Sequence, residues 1–244
     1  MTLLYRIYQV CIAAPFLILA TILTALTTIV GCTLGNGHFW GYHPARLWSR
    51  LFCRMLLLPV RIEGRENIDP HTSYVFVANH QGAMDIFLIY GFLGQPFRWM
   101  MKKSLEKIPL VGYACRKAHH IFVDQSSPRA IAQTIVEARQ TLQDGTSVVV
   151  FPEGTRSRTG RMNPFRRGAF LVADRLQLPI VPLTIDGAYD VLPRTKDINF
   201  VHRHYLRLVI HPPIIPQDKG RTDMEELSRQ AFHTIQSALP ERYR

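Results

Sequence analysis

Residues 7 to 34 read IYQVCIAAPFLILATILTALTTIVGCTL, an apolar run without one charged side chain. About 20 apolar residues cross a bilayer's hydrocarbon core, so this run is long enough to be membrane-embedded. A cleaved signal peptide and a buried core helix are the competing readings. The run is longer than a typical signal-peptide core, and one Arg makes a thin basic flank. Two membrane geometries follow: a single span, or a hairpin entering from one side with its bend at Pro15 or in the Gly31–Gly37 region. The next stretch, ARLWSRLFCRMLLLPVRI, spaces Arg46, Arg50 and Arg54 four apart, with Leu47, Leu51, Met55 and Leu58 on an apolar face. That periodicity predicts an amphipathic helix, either interfacial or an ordinary surface helix with a solvated Arg face. Residues 1–58 therefore read as a membrane-associated helical segment, ahead of a globular domain at 59–244.

In the globular part, short apolar runs alternate with helical periodicity. Strands are expected at Val60–Glu63, Tyr74–Asn79, Phe97–Met101, His120–Val123, Ser147–Phe151, Ile180–Ile185 and Leu206–Ile210. Helices are expected at Met84–Leu93, Pro128–Leu142, Gly168–Leu176 and Met224–Leu239. Continuous apolar strands between helices indicate an α/β fold: a mixed, largely parallel sheet flanked by helices on both faces.

Charge sharpens this picture. Among 244 residues, 29 are Lys or Arg and 18 are Asp or Glu, a net +11. Five cations precede the first acid, Glu63, and flank the apolar run. Cations after the run place the globular domain on the cytoplasmic side. The basic excess suits anionic lipid head groups. It would also suit nucleic acid, but no zinc-finger spacing or helix-turn-helix pattern is present, and no nucleic-acid partner is expected. The four cysteines show no Cys-x-x-Cys spacing, so free thiols are expected rather than a disulfide framework or zinc site.

Two constellations carry candidate chemistry. Asn79-His80-Gln81-Gly82-Ala83-Met84-Asp85 follows a buried strand, where α/β folds place ligands. On a continuous helix His80 and Asp85 would face about 140° apart. The pair works only if His80 lies in the turn and Asp85 in the first helical turn. Asp85 could then hold one imidazole nitrogen and leave the other as a base. Taken alone, the residues equally fit an isolated His beside a helix-start acid. The second constellation, Phe151-Pro152-Glu153-Gly154-Thr155-Arg156-Ser157-Arg158, also follows a buried strand. Gly154 permits a close turn, and Arg156 can grip a phosphate with two hydrogen bonds. It is not a P-loop; a solvated basic loop is the alternative. Arg158, Arg161, Arg166 and Arg167 read as solvent or lipid-surface charges. No metal is expected, His202-x-His204 reading as a strand face.

Taken together, His-x-x-x-x-Asp and, some 70 residues later, Phe-Pro-Glu-Gly-Thr-Arg resemble the 1-acylglycerol-3-phosphate (lysophosphatidic acid) acyltransferase branch of the glycerolipid acyltransferases. Lys102-Lys103-Ser104-Leu105-Glu106-Lys107-Ile108-Pro109-Leu110-Val111-Gly112, His120-Ile121-Phe122-Val123-Asp124 and Val181-Pro182-Leu183 look like further blocks of that family, over residues 55 to 215. An N-terminal membrane-associated helical segment is also usual there. The resemblance implies transfer of a fatty acyl group from a thioester, on acyl-CoA or acyl carrier protein as co-substrate with no bound cofactor, to a lysophospholipid hydroxyl. It casts His80 and Asp85 as the catalytic dyad. Lys102, Lys103, Glu153, Gly154, Thr155 and Arg156 become candidates for holding the acceptor and its phosphate. Amides near Gly82 or Gly154 are candidate oxyanion donors. Membrane lipids are the expected surroundings, in a bacterial inner or plasma membrane or its equivalent. One position departs: the family's second block usually ends Asp-Arg, whereas here Gln125 follows Asp124. A neutral amide cannot replace a guanidinium as a phosphate clamp. The acceptor is therefore lysophosphatidic acid, or another lysolipid with a larger head group or an amino-lipid scaffold; a lipid-binding protein without catalysis is the alternative of a different class, against which the intact His80–Asp85 pair argues.

Overall fold

The structure, a computed structural model, describes residues 3–123, 136, 139, 142, 145–195, 199–216 and 223–244. Gln125, and all but three positions of the expected Pro128–Leu142 helix, lie outside them.

The seven strands are β1 (Val60–Glu63), β2 (Val75–Ala78), β3 (Phe97–Lys102), β4 (Ile121–Val123), β5 (Ser147–Val150), β6 (Ile180–Asp186) and β7 (Leu206–Ile210). They form one sheet in the order β1-β7-β6-β2-β5-β3-β4. All neighbours are parallel except β6 and β7. The mixed, mostly parallel sheet expected from the apolar runs is therefore present. β2 lies between β5 and β6, and all four of its residues are buried. Its alternation divides the core: Phe76 and Ala78 join one apolar cluster, Val75 and Val77 the other. On the first face lies α5 (Met84–Phe92); on the second lie α7 (Gly168–Leu176) and α9 (Met224–Ser237).

The N-terminal segment packs on the first face. α1 (Leu3–Tyr8) runs through a π-helical turn, Gln9–Ala13, into α2 (Ala14–Leu34). The continuous helix over Leu3–Leu34 is long and apolar enough to cross a membrane. The helix runs through Pro15 without a break, and the π-helical turn at Gln9–Ala13 just before it is where the hydrogen-bond ladder departs from α-helical spacing. The chain turns instead at Gly35–Tyr42, around the short α3 (Gly37–Trp40), a turn that overlaps the later of the two expected bend positions. Trp40 packs onto α2 at Gly31, where a Cβ would come within 2.4 Å of its ring.

One stripe of the long helix touches protein at helical spacing. Tyr5 and Tyr8 hydroxyls donate to Leu56 O and Met55 O, and the Gln9 amide pairs with both backbone groups of Val201. Ala13 and Leu17 enter the core, and Thr21 accepts from Trp48 Nε1 at 2.9 Å. The remaining faces expose Leu19, Leu23, Leu26 and Val30.

The amphipathic helix is α4 (His43–Met55). Its buried stripe is Ser49 and Cys53, set against α5, rather than the leucines; Leu47 is 68% exposed. Ser49 and Gly91 let the two helices approach closely, since a Cβ on Gly91 would lie 3.3 Å from Arg50 N. Arg50 is therefore not solvated along its length: its Nε donates to Gly91 O at 2.7 Å. Arg98 of β3 is 2% exposed and donates to Gly41 O and Gly37 O, tying the helical turn to the sheet. All four cysteines are free. His202 and His204 precede β7 instead of lying in it, a correction to their reading as a strand face: chain pairing with β1 begins only at Leu206.

Candidate active site

β2 ends at Ala78, and α5 begins at Met84. Asn79 locks the end of the strand: its side chain donates to Ile185 O and accepts from Ile185 N across β6. The chain then folds back, so His80 sits in the turn and Asp85 in the first helical turn. His80 Nδ1 lies 2.7 Å from Asp85 Oδ2, which also accepts from Gly82 N at 2.9 Å. Asp85 is fully buried, whereas the His80 side chain keeps 15% exposure. A carboxylate only accepts, so Nδ1 carries the proton and Nε2 is left with its lone pair. The imidazole stacks on Phe151, centroids 3.9 Å apart and 9° from parallel, and Phe151 stacks in turn on Trp99. Ring rotation is thereby restricted, and Nε2 stays aimed.

The loop after β5 supports this geometry. Glu153 is turned inward: Oε1 accepts from His80 N at 2.7 Å, and Oε2 from Asn163 N and Nδ2 at 2.8 and 2.7 Å. Three protein N–H groups share these two oxygens and Glu153 is only 3% exposed, so the contact made here is to the backbone of His80. Burial pushes its carboxyl above the usual carboxylate range, against the lowering pull of those three N–H donors. Ser157 N donates to His80 O at 2.7 Å, which clamps His80 from both sides. Gly154, at φ 71°, leaves room for the Arg166 guanidinium, 2.9 Å from where a Cβ would stand. Among the amides near Gly82 and Gly154, the glycines' own N–H groups are already bonded, Gly82 N to Asp85 and Gly154 N to Phe151 O.

His80 opens onto a cavity of about 980 Å³. Of the residues named for the acceptor, Lys102, Gly154, Thr155 and Arg156 line it. Lys103 is not part of the described wall. Two further guanidiniums are. Arg166 was read as a surface charge, and Arg194 had no motif to mark it. Arg194 Nη1 donates to Thr155 Oγ1 at 2.7 Å and to Arg156 O at 3.3 Å. No Asp or Glu is among the described lining residues, so four cations face the space without an acid in its wall. The apolar remainder of the wall includes Ala25 of α2, Trp48, Ile86, Tyr90 and Met101. Of the other arginines, Arg167 pairs with Glu225 on the surface, as a solvent charge would.

Nearby, buried His120 accepts from Trp99 N through Nδ1, so its Nε2–H faces Tyr90 Oη, whose hydroxyl donates to Gly41 O. Burial, with Arg98 and His119 adding to it, lowers the His120 pKa to about 3. Asn163 and Arg194 are neighbours of the site that no motif marks, and Phe151, the first residue of the Phe-Pro-Glu-Gly-Thr-Arg run, has a stacking role that the motif does not announce. Among the described residues no cluster of His, Cys, Asp and Glu could hold a metal ion.

A family model described as Acyltransferase matches residues 59–186. The chloroplastic 1-acyl-sn-glycerol-3-phosphate acyltransferase BAT2 of Brassica napus is 34% identical over 70% of this chain and 49% of its own length. The Saccharomyces cerevisiae 1-acyl-sn-glycerol-3-phosphate acyltransferase is 32% identical over 64% of this chain and 52% of its own. The chain spans about half the length of such relatives. The crystal structure of the 1-acyl-sn-glycerophosphate (LPA) acyltransferase PlsC from Thermotoga maritima superposes with a TM-score of 0.77 at 27% identity, covering 96% of this chain and 93% of that one. On the residue match and the shared architecture together, the chain belongs to the acyltransferase family.

Proposed function

We propose that the protein transfers a fatty acyl group from acyl-CoA or acyl carrier protein to the free hydroxyl of 1-acylglycerol-3-phosphate, giving phosphatidic acid. The observation that carries this reading is the His80–Asp85 pair, set where one cavity brings an apolar wall and four cations together. His80 Nε2 takes the proton of the acceptor hydroxyl as its oxygen attacks the thioester carbonyl carbon. The C–O bond forms, the C–S bond breaks, and the imidazolium returns its proton to the departing thiolate. Asp85 holds the tautomer and stabilises the transient imidazolium. General base catalysis of this kind supplies about 10²–10⁴-fold. No serine nucleophile elbow is present, which favours direct transfer.

Lys102, Arg156, Arg166 and Arg194 are the groups we assign to anionic head groups. A monoester phosphate near neutral pH carries about −1.5 to −2 charge, and guanidiniums meet its oxygens in pairs. The cavity's size, at the upper end of the roughly 300–1,000 Å³ of small-molecule sites, suits acyl chains. The relatives named above carry lysophosphatidic acid in their names, which supports that acceptor over a larger lysolipid. The exposed apolar faces of α2 support membrane association, and the cations that follow the apolar run support a cytoplasmic domain.

The test offers purified protein in vesicles lysophosphatidic acid, lysophosphatidylethanolamine and a lyso-aminolipid, each with acyl-CoA and with acyl carrier protein, and reads products by mass. Phosphatidic acid as the dominant product supports the reading. Turnover of the other acceptors alone would replace its substrate, and free fatty acid released equally without acceptor would replace transfer with hydrolysis.

A further inference from the structure

The segment between β3 and α6 (Val111–Lys117) departs from ordinary surface loops. Leu105, Ile108, Val111 and Tyr113 are 43, 44, 36 and 46% exposed. Grouped apolar side chains rimmed by charge mark contact surfaces. Local bonds and backbone conformation define this form. Residues Lys103–Lys107 make a 3₁₀ turn, and Leu110 sits at φ 61°, a strained conformation for a branched side chain. Val111 N closes on Pro109 O at 2.6 Å, and Gly112 N on Ile108 O at 2.8 Å. Only Gly fits at 112, since a Cβ there would stand 2.1 Å from Glu106 O. Arg116 pairs with Glu106 at 3.0 Å across the base. Strain kept in a compact loop that exposes apolar residues is consistent with a surface that something covers.

Three further features identify what covers it. α6 packs against α2, so the tip adjoins the long apolar helix. Leu105, Ile108 and Val111 also line the cavity, as do Thr21, Ala25 and Thr28 of α2. Residues 102–117 carry five cations and one acid, which suits an anionic leaflet. We propose that the Leu105–Tyr113 tip is a second membrane-contacting surface, with an anionic lipid leaflet as its partner. With α2 it forms the two lips of a lateral portal through which the lysolipid reaches His80. This rests on the reading of the protein as a membrane-associated lysolipid acyltransferase, and it adds that the globular domain itself enters the interface.

The direct test places a nitroxide at Tyr113→Cys, in full-length protein whose native cysteines are alanine, in vesicles containing phosphatidylglycerol. A second label at Arg229→Cys, exposed on α9, is the aqueous control. The expected result is collision with oxygen in excess over a water-soluble nickel complex at 113, and the reverse at 229. Water-like values at both positions would overturn the proposal. So would a label at 113 that becomes shielded only when acyl carrier protein is added, since the surface would then belong to the donor carrier. A second measurement keeps native cysteines. Tyr113→Asp, outside the cavity wall, should lower turnover of vesicle-borne acceptor about 5- to 10-fold while leaving a short-chain, water-soluble acceptor unaffected. Equal rates, or equal losses on both acceptors, would also overturn it. A lipid-exposed label at 113 in protein without transferase activity would refute the proposed reaction but not the contact; an aqueous label with activity intact would refute the contact alone.

Discussion

Replacing Glu153 by Gln leaves volume nearly unchanged but alters three hydrogen bonds. Glu153 now accepts from His80 N, Asn163 N and Asn163 Nδ2 at 2.7 to 2.8 Å. A Gln offers one carbonyl oxygen and one NH₂ group. With the oxygen toward Asn163, its NH₂ faces His80 N–H, donor against donor. With the oxygen toward His80, two Asn163 donors lose their acceptor. Hydrogen bonds to a charged group are each worth about 1.5–3 kcal/mol net. Removing the buried charge, whose pKa is already raised by burial, returns part of that. A net loss of about 2–3 kcal/mol follows, and at about 2–4 °C per kcal/mol for a chain of this size the melting temperature should fall by about 4–12 °C. The assay is calorimetry in detergent alongside steady-state transfer. kcat should fall more than acceptor KM rises, because the lost anchor is the backbone of His80. Asn163→Ala, which removes one of the three bonds, should show a smaller fall in melting temperature. A Glu153→Gln protein melting within 1 °C of wild type with unchanged kcat would refute the positioning role.

Other consequences are open to measurement. Arg156→Ala should raise the KM for lysophosphatidic acid about 10- to 100-fold, the cost of one charge-assisted phosphate contact, with a smaller change in kcat; an unchanged KM would remove it from the head-group site. His120 has its pKa lowered to about 3 from an ordinary 6.5, so the unfolded chain binds its proton first as pH falls. Its stabilising contribution is complete above about pH 6.5 and is lost toward pH 3, by about 2 kcal/mol at pH 5. Between pH 7.5 and 5, wild type should lose about 2 kcal/mol more stability than His120→Gln does. Gly160→Ala should destabilise by about 1–3 kcal/mol, since φ is 82° and a Cβ would lie 2.4 Å from the Tyr243 ring. Equal melting temperatures would show that the ring moves freely aside.

The strands were legible because buried parallel strands read as continuous apolar runs, and Val75–Ala78 and Ser147–Val150 are buried at every position. The reversal between β6 and β7 was not legible, since strand direction lies in pairing across distant segments rather than in local composition. The His80–Asp85 pair was readable only as a condition on the turn. The lock from Asn79 to Ile185, 106 residues away, and the clamp from Glu153 are what meet that condition. α4 shows the opposite failure: its leucine stripe was legible, but the small pair Ser49 and Gly91 decides which face is buried. Arg194 reaches the cavity from outside the matched family region, where no spacing could announce it.

The most direct test of the account is single-turnover acyl transfer to lysophosphatidic acid by His80→Ala and Asp85→Ala proteins in vesicles, with folding checked by melting temperature. His80→Ala should lose at least about 10²-fold in rate with acceptor still bound, and Asp85→Ala should follow it. Transfer by folded His80→Ala at a rate near wild type would contradict it.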